Sequence, residues 1–114
     1  MKEIMAFIRT NKVKDTRDAL ALNGFSSYTC RKCMGRGKNR PSSAGESLRL
    51  AGTETRLIAK RYFNLVVNDE DVKRAVQIII EVNRTGNAGD GKIFVRELGE
   101  IYCIRTGETD NLET

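Results

Sequence analysis

Glycines at positions 86, 89 and 91, followed at once by Lys92, are the residues of this chain best suited by type and spacing to bind an anion. Glycine tolerates positive φ and close approach to its backbone, so several N–H groups can point into one concavity. With Arg105 in a second polar segment, these amides and two cations would suit a polyphosphate. The alternative is an ordinary turn between a helix and a strand, because a glycine-rich segment alone is a weak signal.

The chain contains no histidine, so the commonest general base and metal ligand is absent. Cys30 and Cys33 form a Cys-x-x-Cys pair, but residues three apart on a strand point to opposite faces of the sheet. With Cys103 as the third cysteine, one chain cannot complete a four-ligand zinc site, and we expect reduced thiols. An oxidative sensor is the minor alternative. No nucleophile–base pair is visible, so we expect a protein that is not an enzyme; a small phosphate-handling hydrolase is the alternative.

Positive charge is concentrated in one part of the chain. Residues 31–61 hold nine basic and two acidic residues, a net charge of +7, against +5 for the whole chain and therefore −2 for the rest. This segment is where we expect an anionic partner. A small RNA-binding domain is one alternative, but Tyr28, Tyr62 and Phe63 do not form the stacking pattern of a sheet that binds RNA, so no nucleic acid is expected.

The elements that must position these residues alternate between strand and helix patterns. Asn11 and Asn68 are expected to cap the two helices, and Gly24 to end the first one with positive φ. The predicted elements are a strand at 2–9, a helix at 11–23, a strand at 25–34, an irregular segment at 35–55, a strand at 56–67, a helix at 69–83, a strand at 92–98 and a short strand at 100–104. This order predicts an α+β fold, the ferredoxin-like βαββαβ sandwich.

The strand at 56–67 carries apolar side chains on both faces. Phe63, Leu65 and Val67 lie on one side, and Tyr62 and Val66 on the other. In a fold with both helices on one face of the sheet, the other face would stay open to water. We therefore expect further copies of the chain to cover it.

The length of 114 residues is that of one domain, and we assign 1–114 to it. No run of about 18 apolar residues occurs, so no membrane association is expected. The first ten residues contain an acidic and a basic side chain inside a short apolar stretch. That pattern is not typical of a signal peptide, and we expect a cytoplasmic protein.

Four segments resemble one known family in order and spacing. Residues 85–95 (TGNAGDGKIFV) look like the C-terminal signature of the PII (GlnB-like) signal-transduction proteins, and 104–108 (IRTGE) like the arginine loop that follows it. Residues 35–38 (GRGK) are similar to the start of the family's T-loop, and Lys60 stands at the loop's far end. The sequences GRGK and TGNAGDGKIFV favour the nitrogenase-regulating, NifI-type branch of the family.

The resemblance implies a homotrimer whose clefts between subunits bind ATP or ADP, with a T-loop at about 36–56. A heteromer with a related PII subunit is the alternative assembly. By motif position, the implied nucleotide-binding residues are Thr29, Gly37, Lys38, Gly89, Asp90, Gly91, Lys92 and Arg105.

The same resemblance implies that Asn39 and Lys60 face 2-oxoglutarate, which binds through a Mg²⁺ ion shared with ATP. Asn39 is the one side chain placed near that metal. The T-loop, with the cations Arg40, Arg49 and Arg56, would bind a regulated protein, plausibly nitrogenase. An ammonium transporter or another enzyme of nitrogen metabolism is the alternative target.

Overall fold

The computed structural model describes residues 1–35, 47–49 and 56–109, and its elements follow the predicted alternation of strands and helices. They are β1 (Lys2–Arg9), α1 (Val13–Leu22), β2 (Thr29–Gly35), β3 (Ser47–Arg49), β4 (Arg56–Val67), α2 (Val72–Asn83) and β5 (Lys92–Glu97). In this part of the chain neither helix has the length and hydropathy that crossing a membrane requires.

The strands form one antiparallel sheet in the order β2-β4-β1-β5, and both helices pack on one of its faces. β3 pairs with the start of β4, where Ser47 lies opposite Ile58. The ferredoxin-like prediction is confirmed. β2 and β5 are the two edges of the four main strands, so residues on them are three strand spacings apart, roughly 14 Å.

The core lies between the sheet and the helices and follows the periodicity of each element. Every second residue of β1 is buried, as alternation requires, and α2 buries Ala75 and Ile79 on its apolar stripe. Each large apolar side chain buried here stabilises the fold by roughly 1.5–3 kcal/mol. The buried apolar residues are Ile4, Ala6, Ile8, Leu20, Phe63, Leu65, Val67, Ala75 and Ile79.

One polar pair joins the two helices inside this core. The Asn83 side chain, 5% exposed, donates to the Thr16 hydroxyl at 3.0 Å and to the Ile79 carbonyl at 2.9 Å. Thr16 in turn donates to the Lys12 carbonyl at 2.7 Å. Because a buried hydroxyl or amide is costly without a partner, these bonds fix how α1 and α2 lie against each other.

The opposite face of the sheet carries an aromatic cluster formed by Phe7, Tyr62 and Phe94. The Phe7 ring lies 5.1 Å from Tyr62 and 6.1 Å from Phe94, centroid to centroid, and the Arg31 guanidinium lies 4.7 Å from the Tyr62 ring centroid. Phe94 remains 49% exposed. The prediction of apolar side chains on both faces of the sheet is therefore confirmed.

Both predicted asparagine caps are wrong. Short 3-10 turns, Thr10–Lys12 and Asp69–Asp71, precede α1 and α2, so Asn11 falls inside a turn and Asn68 stands four residues before the first residue of α2. No side-chain cap bond starts either helix. Gly24, with φ 89°, does follow the end of α1 as predicted.

Other predicted segments also differ from the structure. β2 begins at Thr29 instead of residue 25. The short strand predicted at 100–104 is absent; a single bridge joins Tyr102 to Thr109, because the chain turns between them through a bond from the Gly107 amide to the Cys103 carbonyl. The irregular segment predicted at 35–55 contains β3, and the rest of it from residue 36 lies outside the described residues.

Candidate functional site

The connection from α2 to β5 forms a tight glycine loop, residues 84–91, that lies against β1. Gly86, Gly89 and Gly91 all have positive φ, at 83°, 94° and 112°. At Gly91 an added Cβ would lie 2.0 Å from the Phe7 carbonyl oxygen, so no side chain fits there. The predicted need for glycine is confirmed in both its forms, positive φ and close approach.

The Asp90 carboxylate is the centre of this loop's hydrogen bonding. It accepts from the backbone amides of Thr85, at 2.8 Å, and Gly86, at 3.1 Å, and from the Thr85 hydroxyl. The Arg9 guanidinium donates to it at 2.6 Å. The hydrogen bonds from Thr85 and Arg9 lower the pKa of Asp90 far below its usual range, so the carboxylate is charged at any physiological pH.

Two cations from neighbouring strands hold the loop's carbonyl groups. Arg9, at the end of β1, donates to the Ala88 carbonyl at 3.0 Å, and Lys60 of β4 donates to the Gly89 carbonyl at 2.8 Å. Arg9 and Lys60 lie opposite each other in the β1–β4 pairing. The loop is therefore fastened to the sheet at two successive carbonyls.

Lys92 directly follows the loop and opens β5, opposite Phe7. Its side chain is exposed and forms no ion pair or hydrogen bond among the residues the structure describes. The structure thus brings Gly89, Asp90, Gly91 and Lys92 together with Lys60, the residue predicted to face the effector.

The other predicted residues lie on other segments of the described chain or outside the described residues. Thr29 starts β2 on the far edge of the sheet, opposite Asn64, and is exposed. Arg105 lies exposed in the turn before Gly107. Gly37, Lys38, Asn39 and Arg40 lie outside the described residues, and Arg49 pairs with Arg56 across β3 and β4.

A groove of about 400 Å³ opens beside the loop, between α2, β1 and β5. Apolar side chains dominate its lining, and Asp90, Gly91 and Lys92 form its edge next to the loop. Among its lining residues are Ile8, Val76, Ile79, Ile80, Asn83, Arg84 and Ile93.

The loop and Lys92 offer groups of a kind that can bind an anion such as phosphate. Gly89 and Gly91 present backbone without side chains, and the Lys92 ammonium is available to an anion. Within the described residues, no three cysteine, aspartate or glutamate side chains cluster as metal ligands. A Mg²⁺ ion here would therefore have to take most of its oxygen ligands from phosphate and water.

The three cysteines are free thiols in the structure. Cys30 packs against the edge of the core, and this burial raises the pKa of its thiol. A thiol that stays protonated is a weak nucleophile and a weak metal ligand.

Sequence reasoning missed Arg9 and Thr85. Arg9 is the last residue of a strand and carries no motif, and only the pairing of β1 with β4 and β5 places it beside the loop. Thr85 was read as part of the glycine-rich signature. Thr85 donates to the Asp90 carboxylate because of the backbone conformation of the loop, and the sequence does not show the φ and ψ angles of that conformation.

Comparison with known proteins agrees with the loop and the fold. Residues 1–108 match the family described as nitrogen regulatory protein P-II. A nitrogen fixation nifHD1 region GlnB-like protein 2 of Methanosarcina barkeri is 40% identical, covering 98% of each chain, and a nifHD region GlnB-like protein 2 of Methanothermobacter marburgensis is 42% identical, covering 95% of each. Nitrogen regulatory protein P-II 2 of Methanothermobacter thermautotrophicus is 40% identical over 96% of this chain and 93% of its own. With its sheet, its glycine loop and these matches in agreement, the chain belongs to the nitrogen regulatory protein P-II family.

Proposed function

We propose that this chain is a sensor that binds ATP or ADP in clefts between its copies and passes the signal to a target protein through residues 36–56. The family to which it belongs consists of nitrogen regulators that act in signal transduction. The observation that carries the proposal is the fastened glycine loop with Lys92 exposed beside it. Fixed amides and an available ammonium suit the phosphates of a nucleotide.

A cleft between copies follows from where the other candidate residues lie. Thr29 and the loop stand on opposite edges of the sheet, roughly 14 Å apart with β4 and β1 between them, so one chain does not line a single pocket with both. If edge β2 of one copy meets edge β5 of the next, Thr29 of one copy comes close to Lys92 of the other. In this arrangement Arg105 supplies a further cation for the phosphates.

The open aromatic face supports assembly into a closed oligomer. Phe7, Tyr62 and Phe94 expose apolar surface on the side of the sheet that no helix covers. We propose a homotrimer, or a trimer shared with a related subunit. M. thermautotrophicus has two named relatives, nitrogen regulatory proteins P-II 1 and P-II 2, at 41% and 40% identity, so two related chains occur in one organism.

For the effector, we propose that 2-oxoglutarate binds at Lys60 and Asn39 together with Mg-ATP. When bound, the metal supplies a positive charge that two carboxylates and the phosphates can share. Lys60 contributes a cation already placed beside the loop, at 2.8 Å from the Gly89 carbonyl.

For the target, the names of the relatives point to nitrogen fixation. Two of them are named for a nifHD region, and we propose nitrogenase as the protein that this chain controls. An ammonium transporter or another enzyme of nitrogen metabolism is the alternative. The net charge of +7 on residues 31–61 favours an acidic partner surface.

Calorimetry tests the nucleotide site. We expect the wild-type protein to bind Mg-ATP, and Lys92→Ala to weaken binding at least tenfold, about 1.4 kcal/mol. Lys73→Ala is the matched control, since Lys73 is exposed on α2, and it should bind as the wild type does. Absence of adenine nucleotide binding by the wild type, or equal affinity of the two variants, would contradict the proposal.

Two further measurements separate the effector from the target. 2-Oxoglutarate should bind only when Mg-ATP is present, and equal binding without nucleotide would contradict a shared metal. A pull-down from cells fixing nitrogen, with and without Mg-ATP and 2-oxoglutarate, should retain nitrogenase in one condition and release it in the other. Retention of an ammonium transporter instead would support the alternative target.

A further inference from the structure

The Asp90 side chain occupies the anion site that the glycine loop itself creates. Its two oxygens accept from the Thr85 amide, the Gly86 amide, the Thr85 hydroxyl and the Arg9 guanidinium. A carboxylate offers about four acceptor positions, so these donors use its full capacity. No acceptor position remains for a metal ion carried by phosphate.

We propose that Asp90 is the loop's own bound anion and, with Arg9, a positioning pair instead of a ligand of the nucleotide. This inference rests on the proposed nucleotide function and changes the role that the resemblance gave to Asp90. The pair holds residues 85–90 in the shape that presents Lys92 and the amides of Gly89 and Gly91 to the phosphates.

The charges of the pair agree with this role. A lone carboxylate beside a polyphosphate repels it, whereas the Arg9–Asp90 pair, with 2.6 Å between its atoms, is neutral as a unit. Arg9 uses both terminal nitrogens, one on Asp90 and one on the Ala88 carbonyl at 3.0 Å. A planar guanidinium can bridge two acceptors in this way, and a lysine ammonium on its flexible stem is a poor substitute.

The sign of one substitution separates positioning from simple charge. Asp90→Asn removes a negative charge next to the phosphate site, so a purely electrostatic role predicts tighter Mg-ATP binding. A positioning role predicts weaker binding, because an amide group cannot accept from all four donors. We expect at least a tenfold loss of affinity by calorimetry, and unchanged affinity for Asp15→Asn, the exposed control on α1. Tighter or unchanged binding by Asp90→Asn would overturn the proposal.

Amide hydrogen exchange of the nucleotide-free protein gives a second readout that does not need a ligand. The Thr85 and Gly86 amides should exchange at least tenfold faster in Asp90→Asn and in Arg9→Met, and Arg9→Lys should lie between them and the wild type. Unchanged exchange in both variants would overturn the proposal. Should Asp90→Asn fail to fold, Thr85→Val removes one donor of the same cluster and should show the same effects, smaller in size.

The combined variant completes the test. If Arg9 acts mainly through Asp90, Arg9→Met added to Asp90→Asn should cause much less than the additive loss of affinity, the remainder reflecting its bond to the Ala88 carbonyl. A fully additive loss would show that the two residues act independently and would contradict the pair. Should the wild type bind no Mg-ATP, the proposed function fails, while the exchange measurements still decide whether the pair shapes the loop.

Discussion

Replacing Gly91 by alanine tests the contact between the glycine loop and β1 directly. The Cβ of the new residue would lie 2.0 Å from the Phe7 carbonyl oxygen, far inside van der Waals contact, and φ is 112°. The loop must therefore move away from β1. Moving it disturbs the pairing of Phe7 with Lys92 and the bonds from Arg9 to the loop.

The magnitude can be separated into two parts with matched glycines. Gly86 has φ 83° but open space around it, so Gly86→Ala bears only the cost of positive φ, about 1–2 kcal/mol. Gly99 has open space and no positive φ, so Gly99→Ala should be neutral or stabilising by about 0.4–1 kcal/mol. Gly91→Ala adds to the φ cost the loss of one or two backbone hydrogen bonds at roughly 1 kcal/mol each, about 2–4 kcal/mol in all.

Urea unfolding monitored by circular dichroism measures these differences, and calorimetry with Mg-ATP measures the site. We expect the free energy of unfolding to be highest for Gly99→Ala, lower for Gly86→Ala and lowest for Gly91→Ala. Gly91→Ala should also have the lowest nucleotide affinity of the three. A Gly91→Ala protein as stable as Gly86→Ala, with the affinity of the wild type, would refute the close approach of the loop to Phe7.

Three other features of the fold are open to measurement. Thr16→Val should lower the free energy of unfolding by about 1–2 kcal/mol in urea titrations, because Asn83 loses an acceptor inside the core. The hydrogen bond from Asn64 lowers the pKa of Glu3 in the folded protein. The ionised Glu3 carboxylate therefore stabilises the fold above the unfolded pKa of about 4.3, and this stabilisation is lost as the pH falls through the lower pKa of the folded state. Glu3→Gln should therefore flatten the loss of stability between pH 5 and pH 3, and an unchanged acid limb would contradict this role. Phe94→Glu places a charge on the open aromatic face and should give monomers in sedimentation velocity, whereas an intact oligomer would place the interface elsewhere.

The sequence predicted best those elements whose periodicity reports burial. The strand predicted at 56–67 matches β4 at both ends, and the helix predicted at 69–83 ends at Asn83, where α2 ends. Gly24, Gly86 and Gly91 were predicted to have positive φ because few other residues tolerate it. Both signals depend on residues that are close together in the chain, and a single sequence shows such relations directly.

Predictions failed where a longer-range contact decides. The start of β2 depends on pairing with β4, which begins only at Thr29 opposite Asn64. Residues 100–104 have strand composition, but within the described residues they pair through only one bridge, from Tyr102 to Thr109. The role of Arg9 depends on an 81-residue separation from Asp90 that only the fold closes.

Because β4 is long, the effect of inserting residues into it depends on whether their number is odd or even. Beyond Lys60, where the pairing with β1 ends, β4 extends four more residues to Arg56, roughly 13 Å. There it pairs with β2 as far as Ile58 and with β3 from Ile58 to Arg56. Because side chains alternate along a strand, inserting one residue between Ile58 and Lys60 would turn everything from there towards Arg56 onto the opposite face. Inserting two would restore the face and only lengthen the reach. An odd insertion at this point would therefore reverse the faces of the β4 residues that precede it, and an even insertion would keep them, without any change to the glycine loop.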